Sequence, residues 1–262
     1  GVFDFNKKFL KQMVNSKIKQ SMIDSYNLSI AMDPAITTFL QSSPFVQGAY
    51  LAKDSRMLMY RGGKKLGFMK GKYGKYPSLG TLSPYKQTLN DLMFSLERRQ
   101  ELWKQLMIKN KLIPSWLIKK DSVLMFTWNP IKINKIGTLE IRSGDMNHPK
   151  YLMAMAALLK FVFRQIYRDF YQVIPSDIGL HEPFKVEGKV IHIPPHTHIR
   201  NNLQKASAYE GFANKEIHNY CKRFMNFAKK FLDVNYLPVV KPLEELLNKK
   251  ETVSDQLIKT FK

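Results

Sequence analysis

The sequence predicts an α+β chain in which helices pack on short strands. Three observations predict it. Thr138 to Arg142 alternates apolar and polar residues, the period of a half-buried strand. Tyr151 to Tyr171 is apolar nearly all round at its start, the pattern of a helix buried against a sheet. Lys185 to Ile193 reads as a hairpin turning at Glu187-Gly188.

The remaining elements follow in order. Asp4 to Tyr26 reads as a basic amphipathic helix, with a loose stripe of Phe5, Leu10, Met13, Ile18 and Met22. Asp33-Pro34 has the form of a helix start, an acid at the cap and a proline in the first turn, leading a short apolar helix from Ala35 to Gln41. Ser43-Pro44 ends it. Residues 54–85 are rich in Gly, Tyr and Lys, and no acid stands between Asp54 and Asp91. This stretch reads as a long basic loop, the kind that serves as a lid when it lies inside a domain. Lys86 to Lys109 has helical spacing, and Val123 to Trp128 reads as a short strand. Pro175 and Gly179 close the helix begun at Tyr151, and Pro194-Pro195 breaks the chain after the hairpin. Asn201 to Leu232 returns to helix. Pro238 and Pro242 interrupt again before a last amphipathic helix, Pro242 to Asn248, so that 238–262 reads as a C-terminal helical tail on a single domain, 1–262.

At 44% apolar and 12% aromatic residues, the chain can bury a core and does not have the composition of a disordered one. The net charge of +21 points to polyanion partners, to a general lysine bias, or to a separate acidic half that balances it. Cys221 is the single cysteine, which excludes an internal disulfide and a cysteine zinc site, and a reducing, cytoplasmic setting fits. The longest apolar run, Tyr151 to Leu159, is too short to span a bilayer, and no signal peptide is visible, so no membrane partner is expected. The chain starts at Gly1 with no Met and reads as a fragment or a processed product.

The polar face of Thr138 to Arg142 sets Glu140 and Arg142 on one side, about 7 Å apart along the strand. They can form a simple ion pair. Alternatively, Glu140 can hold a hard cation such as Mg²⁺, and Arg142 can grip a phosphate in two-pronged fashion. Asp145, just past the strand, adds charge or fixes the turn. His192, His196 and His198 invite a metal reading but lack a standard ligand spacing, and exposed loop histidines are the simpler account. His148 reads as part of a helix-capping turn, Asn147 to Pro149. Gly62 to Tyr76 lacks the arrangement of a P-loop; its lysines with Phe68, Tyr73 and Tyr76 suit either a solvated lid or a single-stranded nucleic acid.

The stretch Gly137-Thr138-Leu139-Glu140-Ile141-Arg142-Ser143-Gly144-Asp145 resembles a strand of the glutamate–cysteine ligase family that reads Thr-x-Glu-x-Arg-x-x-Asp. Upstream, Leu40-Gln41-Ser42-Ser43-Pro44-Phe45-Val46-Gln47-Gly48 is similar to that family's Ser-Pro-aromatic-Gly turn, and Asp54-Ser55-Arg56 with Arg61 to its Asp-x-Arg followed by a second arginine. Downstream, Asn202-Leu203-Gln204-Lys205-Ala206 with Tyr209-Glu210-Gly211 looks like its Asn-Arg-x-x-Ala-x-x-Tyr-Gly helix. The resemblance spans roughly residues 29–211. It implies a glutamine-synthetase-like catalytic fold, an antiparallel sheet backed by helices, and an ATP- and Mg²⁺-dependent carboxylate–amine ligase that works through γ-glutamyl phosphate on glutamate and an amino-acid amine. On the same resemblance Glu140 is a metal ligand, Arg142 and Arg61 are catalytic, and Arg56, Ser43 and Asp145 bind substrate or phosphate.

The family's N-terminal Glu-x-Glu strand has no counterpart in Gly1 to Leu28, whose acids are Asp4 and Asp24. Asn129 and Leu203 stand where the family carries arginines. The chain is therefore expected to hold about half a site, completed by an N-terminal half on another chain or by a homo-oligomer. A nucleic-acid-binding module and an inactive pseudo-enzyme of the same fold are the alternatives.

Overall fold

The structure is a computed structural model that describes residues 16–111, 123–125, 129–134 and 137–261. Its organising element is helix α1, Ser16–Leu40, in which every residue from Ser21 onward is buried. A helix covered on all sides carries little amphipathic signal. The sequence expectation of two helices, with Asp33-Pro34 starting the second, is thereby corrected: one helix runs through Pro34. Proline removes an N–H from the ladder and crowds the carbonyl four residues back. Here the surroundings absorb that cost. The Tyr220 hydroxyl donates to the carbonyl of Ala31 at 2.5 Å, beside the acceptor that Pro34 leaves without its helical donor, and Thr38 Oγ1 donates back to Pro34 O at 2.7 Å. The part of the expected first helix before Ser16 lies outside the described residues.

Polar residues on α1 reach out and pin the layers around it. Asp24 Oδ1 accepts from the Val173 N–H at 2.8 Å, and burial pushes its carboxyl up. Asn27 makes a two-way amide pair with the Lys86 backbone, donating to its carbonyl at 2.7 Å and accepting from its N–H at 2.8 Å. A buried amide that satisfies both its donor and its acceptor fixes the segment it touches.

After α1 come a two-stranded hairpin, β1 (Phe45–Val46) and β2 (Ala49–Tyr50), and helix α2, Ser55–Arg61. Gln47 and Gly48 both have positive φ, the turn that matches the twist of a short hairpin. Helix α2 lies inside the stretch read from sequence as a loop. Asp54 caps it, accepting from Met57 N at 2.7 Å, and Met57 and Leu58 bury in a small second cluster with Ala52, Leu66 and Ala208. Seven residues are too few for a helical period to stand out against the surrounding glycines and lysines. The rest of the stretch folds on itself through backbone bonds, among them Gly63 N to Phe68 O at 2.7 Å and Lys72 N to Met59 O at 2.6 Å.

Helix α3, Leu89–Lys109, starts at a reciprocal cap between Thr88 and Asp91. Val123–Met125 is a 3₁₀ turn and not the start of the expected strand, and residues 126–128 lie outside the described set. The strand stands further on: β3, Ile131–Ile133, pairs antiparallel with β4, Leu139–Ile141. Helix α4, Pro149–Asp169, packs against α1 and opens on Pro149 with His148 at the cap position. A three-stranded mixed sheet follows. Strand β5 (Gln172–Pro175), unforeseen from sequence, runs parallel to β7 (Val190–Ile193), which closes the foreseen hairpin with β6 (Lys185–Glu187).

The helix expected over Asn201 to Leu232 is divided. A π-turn, Ile199–Leu203, and a short helix, Gln204–Tyr209, end at Gly211, whose φ is +55° and whose absent Cβ would sit 2.6 Å from Gln41 Oε1. Helix α5, Lys215–Lys229, then starts afresh on the Asn214 side chain, which caps Glu216 N and Ile217 N. Helix α6, Leu237–Lys249, admits Pro238 in its first turn, where no N–H is needed, and carries Pro242 inside; α7, Val253–Phe261, follows. The C-terminal segment is docked rather than trailing: α6 packs along α4, and Ser254 N bonds to Gln41 O at 3.3 Å. The architecture is α+β in the general sense, mostly helical with two antiparallel pairs and one mixed sheet among the described residues. No described helix is long and apolar enough to cross a membrane.

Gly80 marks how tightly the basic stretch is packed. A Cβ there would lie 2.3 Å from Cγ and 2.4 Å from Cβ of Tyr73, so rotating the ring alone gives no relief. Gly80→Ala is expected to lower stability by about 1–3 kcal/mol, the usual cost of overpacking. A denaturant midpoint equal to wild type would show that this packing is not formed.

Candidate functional site

The site forms where the ends of α1, α2 and β4 meet. Chain order separates β4 from α1 and α2 by about a hundred residues, yet three polar groups tie the pieces together. The first is Asp33, fully buried in the middle of α1. Arg61 grips it with two prongs, Nη1 to Oδ2 at 2.6 Å and Nη2 to Oδ1 at 3.0 Å. Ser143 Oγ donates to Oδ1, and Gln204 Nε2 donates to Oδ2 at 2.8 Å. A buried carboxylate is tolerated where charge and hydrogen bonds both meet it, and here both do.

The second group is Asp145, just past β4. It accepts from Ser42 N at 3.0 Å and from Ser43 Oγ at 2.6 Å, while Arg56 Nη1 stands 3.7 Å from its other oxygen. That oxygen, Oδ1, is buried and accepts no hydrogen bond. Asp54 lies close by and is 1% exposed. Burial raises its carboxyl to about 8, and the neighbouring Asp145 charge adds to the rise; the Met57 N–H and the guanidinium groups of Arg61 and Arg56 oppose it. Asp54 thus keeps its proton near neutral pH.

The third group is Arg56. Its guanidinium donates to three successive carbonyls of the turn after β4: Arg142 O at 3.1 Å, Ser143 O at 3.4 Å and Gly144 O at 3.2 Å. It therefore holds the backbone that carries Arg142 and Asp145. Gly144 belongs to the same fit, since a Cβ there would meet Leu40 Cδ1 at 2.6 Å.

Glu140 and Arg142 project from the polar side of β4, with Leu139 and Ile141 packed toward the core, as the alternation indicated. Arg142 Nε donates to Glu140 Oε1 at 2.7 Å, and both side chains remain partly open to solvent. The Arg142 hydrogen bond holds the Glu140 carboxyl below its ordinary value. Lys132 is the register partner of Glu140 on β3. Among the described residues no three His, Cys, Asp or Glu side chains come together as a metal-binding group. With Glu140 committed to Arg142, the described residues do not make a Mg²⁺ cage.

Of the six residues expected at the site, Ser43, Arg56, Asp145 and Arg61 form one buried and half-buried network with the strand, and Glu140 and Arg142 face outward from it. Arg61 also borders a cavity of about 230 Å³, but two of its nitrogens are taken by Asp33. Asp33 and Ser143 were missed by sequence reasoning. An acid inside an otherwise apolar helix was the available signal, because such a residue needs a cation. The histidines scatter to separate partners. His192 Nδ1 meets Ser176 Oγ at 3.0 Å, His196 Nε2 meets the Leu82 carbonyl at 3.3 Å, and His198 Nε2 meets Glu216 at 3.0 Å. Cys221 is buried, and burial pushes its thiol far up, away from nucleophilic use.

No protein-family model, no curated protein and no solved structure matches the chain.

Proposed function

We propose that this chain is part of a carboxylate–amine ligase of the glutamate–cysteine ligase type, with a glutamine-synthetase-like catalytic fold, and that β4 carries its substrate-facing residues. One observation carries the reading: the separate sequence segments behind the resemblance converge on one place. Ser43 and Arg56 from the turn and α2, Arg142 and Asp145 from β4, and Gln204 from the downstream helix share a single hydrogen-bonded network.

In this reading Arg142 is the anion-binding residue. Its partner Glu140 is half open to solvent, so an incoming carboxylate or acyl phosphate can take the guanidinium at little desolvation cost. Arg56 and Arg61 are positioning residues. The first holds the β4 turn through three carbonyls, and the second is neutralised by Asp33. Ser43 and Asp145 fix the turn opposite. Joining a carboxylate to an amine through an acyl phosphate needs charge stabilisation more than a nucleophile. Because the described carboxylates do not form a Mg²⁺ site, the reading assigns the metal ligands to protein outside the described residues, and no step is routed through the metal here.

The test is titration of the 262-residue chain with glutamate, followed by assay of ADP formation with ATP, Mg²⁺, glutamate and cysteine. Glutamate is expected to bind, Arg142→Gln to weaken it by about tenfold or more, and ADP formation to be absent without a completing partner. Equal glutamate binding in wild type and R142Q sinks the assignment of Arg142. Turnover by the chain alone sinks the half-site reading.

A further inference from the structure

The net positive charge is spread over the whole chain, so a basic surface by itself carries little information. A buried arginine without an acid does. Arg99, on α3, is 8% exposed, and its guanidinium donates to a neutral partner, Ser83 Oγ, at 2.8 Å. Arg200, in the π-turn Ile199–Leu203, is half-buried, and no ion pair joins either arginine to a carboxylate among the described residues. Burial lowers the affinity of both for their protons, and the single group that opposes this at Arg99 is Tyr26. Leaving two desolvated cations without counter-charge is costly unless an anion from outside supplies it.

Both arginines line open space. The cavity of about 230 Å³ bordered by Lys64, Lys65 and Arg200 adjoins a second of about 380 Å³ bordered by Lys86, Arg98, Arg99 and again Arg200. Thr81 and Arg200 belong to both walls, so the two spaces are neighbours with Arg200 between them, and together they are taken as one trough. No carboxylate lines either part; Asp91, held in the cap of α3, acts on Lys86 from outside the wall. His196, close to Arg200 and Lys86, is kept from adding charge chiefly by burial. Four separate chain segments bring these cations together: the turn after α2, the approach to α3, α3 itself and the π-turn. Among the described residues the wall has no aromatic ring on which a base could stack, which sets it apart from a single-stranded nucleic-acid groove.

We propose that this trough binds a polyphosphate chain, with Arg200 gripping its middle, Lys64 and Lys65 at one end and Lys86 and Arg98 at the other. The inference does not rest on the ligase reading: the five cations named make no contact in the β4 network, although Arg61 and Gln204 of that network also border the first cavity. The chain chemistry has two sources, inorganic polyphosphate and a nucleoside triphosphate, and both are tested.

The experiment is titration of the full chain with inorganic tripolyphosphate at low and moderate salt, with ATP and a single-stranded oligonucleotide in parallel. Tripolyphosphate is expected to bind, with affinity falling as salt rises. Arg200→Gln is expected to weaken it tenfold or more, and the double variant of the exposed pair, Lys64→Ala with Lys65→Ala, severalfold. Arg142→Gln should leave it unchanged, which separates failure of this site from failure of the β4 assignment. ATP binding tighter than tripolyphosphate identifies the nucleoside-borne source, and equal binding identifies the inorganic chain. Absence of tripolyphosphate binding, or binding lost in R142Q and kept in the lysine double variant, overturns the proposal. So does an oligonucleotide that binds and is not displaced by tripolyphosphate. Since R200Q removes a half-buried charge, circular dichroism accompanies it; the lysine pair, on the surface, decides the matter if R200Q unfolds.

Discussion

Arg61→Met is expected to lower the stability of the chain by about 3–5 kcal/mol, the range for removing one partner of a buried ion pair. Asp33 is wholly buried and Arg61 is 3% exposed, so water reaches neither to replace the lost contact. Ser143 and Gln204 remain as donors to Asp33, but neither carries charge. Asp33→Ala should cost about as much, because it strands the guanidinium in the same place. Replacing both residues at once with apolar side chains should cost much less than the sum of the single changes, since no unpaired charge is left. Chemical denaturation of the four proteins forms the cycle. Additive single effects would show that the pair is not coupled as the geometry requires. The consequence reaches the site itself: Asp33 also holds Ser143, the residue after Arg142, so loosening the pair should misplace β4 as well as destabilise the fold.

The second large effect is one of pH. Asp54 keeps its proton to about pH 8 in the folded chain, against 3.8 for an ordinary aspartate. The folded state thus binds more protons than the unfolded one between those values, and stability falls as pH rises through that window. The stabilisation from this group is fully present below about pH 4 and lost above about pH 8. The total is on the order of a few kcal/mol, since each unit of difference between folded and unfolded pKa is about 1.4 kcal/mol. Asp54→Asn should flatten the profile and make the variant more stable than wild type at pH 8.5. An asparagine oxygen can still cap Met57 N. Asp145→Asn should end the fall at lower pH and make it smaller, because it removes the repulsion that the Asp54 anion meets on ionising. A D54N profile parallel to wild type would place the proton elsewhere.

How much of this was legible in the residues varies by element, for physical reasons. The strand at Thr138 to Arg142 and the hairpin at Lys185 to Ile193 were readable from their alternation and turn residues, and the helix begun at Tyr151 from its apolar run, although it packs on other helices and not on the expected sheet. Helix α1 was read as two because burial on every side erases that period and leaves Pro34 as the loudest local signal. Helix α2 and strand β5 were missed because they are short, and their neighbours rather than their own residues hold them in place.

The β4 residues show the same division. Alternation by itself determined that Glu140 and Arg142 share a polar face with Asp145 just beyond; Ser43, Arg56 and Arg61 were singled out by the family resemblance. Only the tertiary structure decided their roles. It buried Arg61 against Asp33, spent Arg56 on three carbonyls, set Asp145 beside Asp54, and left Arg142 paired with Glu140 and partly open to solvent. A side chain's type fixes what it can bind, but which of its atoms remain available depends on partners a hundred residues away, and no local pattern encodes those partners.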